Sequence, residues 1–140
     1  MQVFSSESPE ETEEVGRKLV QKYGPKMIIC LFGPLAAGKT TLVKGLAGEL
    51  GIESRIVSPS YVLLRKYEGD FPLFHLDLFR IKSSEEFVEA GLEEYLFKSG
   101  GTVAIEWAGR IENILPENRI DVNIELTDDE RRLIKTRLVT

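Results

Sequence analysis

The stretch that most restricts what this chain can fold into runs from residue 27 to residue 50. Six unbroken apolar residues, Met27 to Phe32, lead into Gly33-Pro34-Leu35-Ala36-Ala37-Gly38-Lys39-Thr40. Apolar residues at helical spacing follow: Leu42, Val43, Leu46, Ala47 and Leu50. The middle block fits the phosphate-binding pattern G-x-x-x-x-G-K-[ST] at every fixed position. Its chemistry needs this order. A strand brings the chain to a sheet edge, the glycine-bounded loop turns its N–H groups inward as an anion nest, and the next helix points its positive end at the phosphates. Lys39 is then expected to reach the β- and γ-phosphates of a nucleotide, and the Thr40 hydroxyl to take one Mg²⁺ position. The competing reading of the block alone is a strand, a turn and a helix with a stray lysine.

The pattern predicts a strand over 26–32 and a helix over 39–50 closed by Gly51. Upstream, Gln2–Ser5 reads as a short strand, and Ser8-Pro9-Glu10-Glu11 as a helix start with Ser8 as N-cap. Val15, Leu19 and Tyr23 give that helix one buried stripe, stopped by Gly24-Pro25. Downstream, Arg55–Val57 reads as a strand, and Tyr61–Tyr67 with Phe71–Phe79 as an antiparallel hairpin. Ser83 caps a short helix broken near Gly91, and a second runs from Leu92 to Phe97. A turn at Ser99-Gly100-Gly101 precedes an apolar strand, Thr102–Trp107. After Pro116 a second hairpin carries Ile120, Val122, Ile124 and Leu126, turns at Thr127–Glu130, and returns through Leu133, Ile134 and Leu138. Together these predict a single-domain α/β fold of the P-loop NTPase type, with a mixed central sheet and helices on both faces.

At 140 residues, 42% apolar and 29% charged, the chain has the length and composition of one globular domain. No apolar run reaches the length of a membrane span, and Met1-Gln2-Val3-Phe4-Ser5-Ser6 lacks the pattern of a secretory leader. A cytoplasmic location is therefore expected. One cysteine and one histidine exclude a disulfide framework and disfavour a Cys/His zinc site. A net charge of −5 argues against unaided nucleic-acid binding.

Two acids stand inside apolar runs: Asp77 in Phe74-His75-Leu76-Asp77-Leu78-Phe79-Arg80, and Glu106 at the end of Val103-Ala104-Ile105. A buried carboxylate needs a cation, a metal or several donors. Metal roles are expected for both, against the plainer pairings of Asp77 with Arg80 or a turn and of Glu106 with Arg110. Ser60, in Ser58-Pro59-Ser60-Tyr61, lies where a γ-phosphate-sensing hydroxyl would sit, or in an ordinary proline turn. His75 reads as a structural histidine and Trp107 as a core or edge aromatic. Thr12 matters only if its helix borders the base pocket.

In this order and in so short a chain, the set Gly33…Lys39-Thr40, Ser-Pro-Ser-Tyr, His-Leu-Asp-Leu-Phe-Arg and Ile-Glu-Trp resembles the TsaE family, the ATPase of bacterial tRNA threonylcarbamoyladenosine synthesis. The resemblance covers nearly the whole chain, is most specific at His75–Arg80 and Glu106-Trp107, and owes little to the C-terminal hairpin. It implies binding of ATP or ADP with Mg²⁺, slow hydrolysis, and work beside two partner proteins, TsaD- and TsaB-like. Those partners transfer a threonylcarbamoyl group onto an adenosine next to the tRNA anticodon, with tRNA met through the complex. By the same resemblance, Gly33, Ala36, Ala37, Gly38, Lys39, Thr40 and Thr41 cradle the phosphates. Thr40, Asp77 and Glu106 serve the metal, Lys39, Asp77 and Glu106 the chemistry, and Thr12, Ser60 and Trp107 the nucleotide. Pro34 replaces the family's usual acid, Ala36 a glycine, Ser60 a threonine and Ala108 a proline. Two other readings stay open: a small-molecule kinase, with Arg65 or Arg80 in a lid, and a nucleotide-gated interaction module. No Asn-Lys-x-Asp or Asp-x-x-Gly supports a GTPase.

Overall fold

The first helix begins where its capping chemistry places it. Ser8 is extended and accepts a hydrogen bond from the Glu11 N–H at 3.1 Å, Pro9 takes the first helical position, and α1 runs over Pro9–Tyr23. A computed structural model describes residues 1–34, 36–58, 62–97 and 100–140 of the chain. Seven strands, β1 (Gln2–Ser6), β2 (Ile28–Phe32), β3 (Leu64–Tyr67), β4 (Leu73–Asp77), β5 (Thr102–Glu106), β6 (Arg119–Leu126) and β7 (Arg132–Val139), form one sheet in the order β1-β7-β6-β2-β5-β4-β3. β2 runs parallel to β5 and β6, and β4 parallel to β5, while the other pairs are antiparallel. The expected mixed sheet is therefore present.

Strand alternation sorts the core into two layers. On β2, Ile29 and Leu31 join α1 and α2 (Lys39–Glu49) through Leu19, Leu42 and Leu46. Cys30 faces the other way, toward Phe87 of α3 (Ser84–Glu89), Leu92, Leu96 and Ile111. Helices thus cover both faces. The two on the first face touch backbone to backbone: a Cβ at Gly45 would overlap the Glu13 carbonyl, and one at Gly16 the Leu42 carbonyl. That approach brings the start of α1 up behind the start of α2. Among the described residues no helix is long and apolar enough to cross a membrane.

Four local expectations change. Arg55–Val57 forms no strand. Ile56 is buried instead, and the Val57 N–H is held by the Tyr67 hydroxyl at 3.2 Å rather than by a ladder. The fifth strand stops at Glu106, since Trp107 turns left-handed at φ 60°. The helix expected over 92–97 is a single 3-10 turn, Glu93–Leu96. Two further 3-10 turns over Ala108–Ile114, joined at a kink at Ile111, fill what the sequence reading left without structure. The first hairpin is shorter than its apolar runs, and the positions Tyr61 and Ser99 lie outside the described residues.

Candidate functional site

Parallel strands β2, β4 and β5 end together, with Leu31 opposite Glu106 and Asp77 opposite Glu106 on the other side. The period of two sets His75, Asp77 and Glu106 on the same face as Leu73 and Ala104, which pack with α1 and α2. At this edge α2 begins, and it begins differently from the other two helices. Ser8 caps α1 and Ser83 caps α3, each followed by two glutamates in the first turn. The N-cap of α2 is Gly38, left-handed at φ 108°, with no side-chain cap and no acid in the first turn. The opening amides of α2 are left for an acceptor from outside the helix, and the helix dipole makes an anion the favoured one.

Lys39 lies at this opening, almost wholly buried. Its ammonium donates to the Gly33 carbonyl at 2.5 Å and to the Pro34 carbonyl at 3.3 Å, and sits 3.6 Å from the centre of the Trp107 ring. Desolvation pushes its pKa below the ordinary 10.5, against the opposing pull of the Glu106 and Asp77 carboxylates. Thr40 donates its hydroxyl to Glu106 Oε2 at 2.8 Å. His75 Nε2 meets the same oxygen at 2.6 Å, so the ring hydrogen on that nitrogen is directed at the carboxylate. His75 Nδ1 is buried with no partner among the described residues. Asp77 Oδ1 accepts from the Phe79 N–H at 3.0 Å and Oδ2 from the Ser58 hydroxyl at 3.4 Å.

Trp107 forms the wall between these groups and solvent. A bulky residue at φ 60° carries backbone strain of about 1–2 kcal/mol, and such strain persists where the surroundings require that conformation. Its ring stands over Lys39, tilts against Phe79 at 5.2 Å and receives the Arg110 guanidinium at 5.5 Å. The cleft so bounded encloses about 440 Å³, within the roughly 300–1,000 Å³ usual for small-molecule sites. Ala36, Ala37, Gly38, Lys39, Thr40 and Thr41 line one side, and Asp77, Phe79, Arg80, Glu106 and Trp107 the other.

The structure therefore brings together most of the residues the sequence singles out. Gly33 sits at the base of the loop, its carbonyl taken by Lys39. Thr12 stands apart from the cleft lining. It is buried behind the loop, where its hydroxyl bonds Ser6 at 2.7 Å and its methyl group lies 3.8 Å from where a Gly38 Cβ would be. Ser60 lies outside the described residues. Glu106 takes Thr40 and His75, while Arg110 lies on Trp107, so the simple Glu106–Arg110 pairing is not what forms. His75 is structural in its burial yet touches the Glu106 carboxylate. The sequence reading passed over Arg132 of β7, which also lines the cleft and donates to the Ala37 carbonyl at 2.8 Å. Nothing local to a β-hairpin arginine marks a contact 95 residues away.

The donor set also bears on a metal. No group of three or more His, Cys, Asp or Glu converges among the described residues. Mg²⁺ is ordinarily bound by one or two carboxylates together with substrate phosphates and waters, not by an all-protein cage. A hydroxyl hydrogen-bonded to a buried carboxylate, beside open helix amides, suits that mode of binding.

Comparison with known proteins fixes the family. A family model described as the threonylcarbamoyl adenosine biosynthesis protein TsaE matches residues 6–134. The chain belongs to the TsaE family. Proteins named tRNA threonylcarbamoyladenosine biosynthesis protein TsaE are 37% identical in Treponema pallidum, over 92% of this chain and 95% of theirs, and 39% identical in Rickettsia bellii, over 95% of each. The Bacillus subtilis protein of that name is 37% identical over 91% of this chain and 79% of its own. The crystal structure of Bacillus subtilis YdiB superposes with a TM-score of 0.82 at 33% identity, covering 99% of this chain and 86% of that one. This TsaE chain is thus a member of a family of tRNA threonylcarbamoyladenosine biosynthesis, and its cleft is the part of the fold where the family-like motifs of the sequence converge.

Proposed function

We propose that this TsaE chain is a Mg²⁺-dependent ATP-binding protein with weak intrinsic ATPase activity, working with TsaD- and TsaB-like partners that modify an anticodon-adjacent adenosine of tRNA. The observation that carries the reading is the convergence of the uncapped start of α2 with Lys39, Thr40 and Glu106 in one cleft. The amides of Ala36 to Thr41 receive the phosphates, and Lys39 leaves its two loop carbonyls to meet them. Thr40 and Glu106 hold the Mg²⁺, with Asp77 beside them at the same sheet edge. The ion, when bound, neutralises charge that builds on the transferring phosphoryl group. His75 holds Glu106 in orientation through Oε2, a support of the kind metal-binding groups depend on. Trp107 closes the cleft over Lys39 and keeps water from it.

The test is phosphate release from ATP with and without the two partner proteins, with Lys39→Ala as control. The wild-type chain should release phosphate slowly in Mg²⁺, faster with the partners, and not at all once Lys39 is removed. Transfer of the γ-phosphoryl group to a metabolite would favour the kinase alternative, for which Arg80 lines the cleft. Absence of nucleotide binding by calorimetry would defeat both.

A further inference from the structure

The peptide between Ala37 and Gly38 is held from outside the loop. Arg132, the first residue of β7, donates from Nε to the Ala37 carbonyl at 2.8 Å and brings Nη2 to 3.5 Å from the Ala36 carbonyl. The anchor is rigid, because Arg132 is paired in register with Leu126 of β6 on one side and Ser6 of β1 on the other. Gly38 itself supplies no restraint. It is left-handed, without a side chain, and Arg132 is packed so closely that a Cβ there would lie 3.2 Å from Nε.

A trans peptide is planar, so its carbonyl and N–H point in opposite directions. Fixing the Ala37 carbonyl on Arg132 therefore fixes the Gly38 N–H, turned away from the guanidinium at the mouth of α2. The bond is charge-assisted, and a carbonyl polarised on one side makes the N–H of the same peptide a stronger donor on the other. We infer that Arg132 is a positioning residue of the 33–40 loop, holding the Ala37–Gly38 peptide in the orientation that offers its amide to an anionic phosphate group. The inference rests on the nucleotide reading of the same cleft and adds to it a residue from the far end of the chain.

The experiment titrates wild type, Arg132→Met and Arg132→Lys with ADP and, separately, with tripolyphosphate, and records the melting temperature of each. Because the effect lies in the cradle and not in a base pocket, Arg132→Met should weaken both ligands alike by about tenfold, the scale of one charged hydrogen bond. Arg132→Lys, which keeps one charged donor, should recover most of that loss, with all three chains melting within a few degrees of one another. Binding by Arg132→Met within twofold of wild type would overturn the inference while leaving the nucleotide reading intact. So would a lysine variant as weak as the methionine one with both melting early, since that is the behaviour of a packing residue. A wild-type chain that binds neither ligand would overturn the nucleotide reading itself.

Discussion

Two carboxylates are buried on the strands that flank β2, β6 on one side and β5 on the other, and they are treated in opposite ways. Asp121 on β6 is 7% exposed and is met by two guanidiniums, Arg119 at 2.9 Å and Arg137 at 3.7 Å. Glu106 on β5 is 4% exposed, and its partners are a hydroxyl and an imidazole. Among the described residues no lysine or arginine forms an ion pair with it. Asp121 has its charge answered within the protein. Glu106 has hydrogen bonds that orient it and no permanent cation that neutralises it, although Lys39 stands near enough to feel its field. Buried charge left unanswered is unfavourable unless something else supplies the counter-charge. The difference separates an acid neutralised inside the protein from one that, on the proposed reading, is kept for a cation.

The largest effect should come from Glu106. Glu106→Gln retains an acceptor for Thr40 and His75 but loses the charge, and Mg²⁺-dependent hydrolysis should fall about 100-fold, roughly 2.7 kcal/mol. The melting temperature should move by only a few degrees. A variant with an unchanged rate and a collapsed melting temperature would make Glu106 another Asp121. The converse substitution, Asp121→Ala, strands Arg119 and should cost about 2 kcal/mol of stability, discounted because Arg137 is largely exposed. Thermal melting should register it as a drop of roughly 6 °C, with ADP affinity within twofold of wild type. Weakened ADP binding would join the two faces of the sheet and dissolve the contrast.

How much of this could be read from the chain depends on the distance in sequence over which each contact acts. Lys39 and Thr40 are legible because the loop pattern and the strand and helix around it are local. Asp77 and Glu106 are legible because a carboxylate in an apolar strand is conspicuous. What they touch is not. His75 meets Glu106 across 31 residues and Arg132 meets Ala37 across 95, and only the sheet order brings them together. Tertiary contacts likewise decide Arg55–Val57: Ile56 and Val57 have strand propensity, yet the segment is held by burial of Ile56 and by the Tyr67 hydroxyl ten residues on. Asp121 drew no notice in an alternating strand, since its two arginines lie on β6 and β7 and balance it only after pairing.

Cys30 offers a gauge of the Asp121 face, being that residue's direct partner in register. Burial, helped by the Asp121 charge and opposed by Arg119, raises the Cys30 thiol from 9.0 to about 12. The folded chain therefore keeps a proton that the unfolded chain sheds above pH 9. Stability should fall by about 1 kcal/mol between pH 9 and pH 10 on this account alone, read as the difference in pH dependence between wild type and Cys30→Ala. Equal slopes would mean that the thiol ionises in the fold. The smallest effect belongs to Ala36, left-handed at φ 63°. Replacing it with glycine removes about 1 kcal/mol or more of strain and returns part of that as unfolded-state entropy. Chemical denaturation should show a net gain of about 0.5 kcal/mol, and a loss would mean that Ala36 is not strained there.

The central claim is that Glu106 is held ready for a cation that arrives with a nucleotide. Calorimetric titration of ADP, with and without Mg²⁺, into wild type and Glu106→Gln tests it directly. Wild type should bind ADP at least about tenfold more tightly with Mg²⁺, a gain of about 1.4 kcal/mol. Glu106→Gln should keep the Mg²⁺-free affinity and lose the gain. An equal Mg²⁺ increment in both chains would contradict the account.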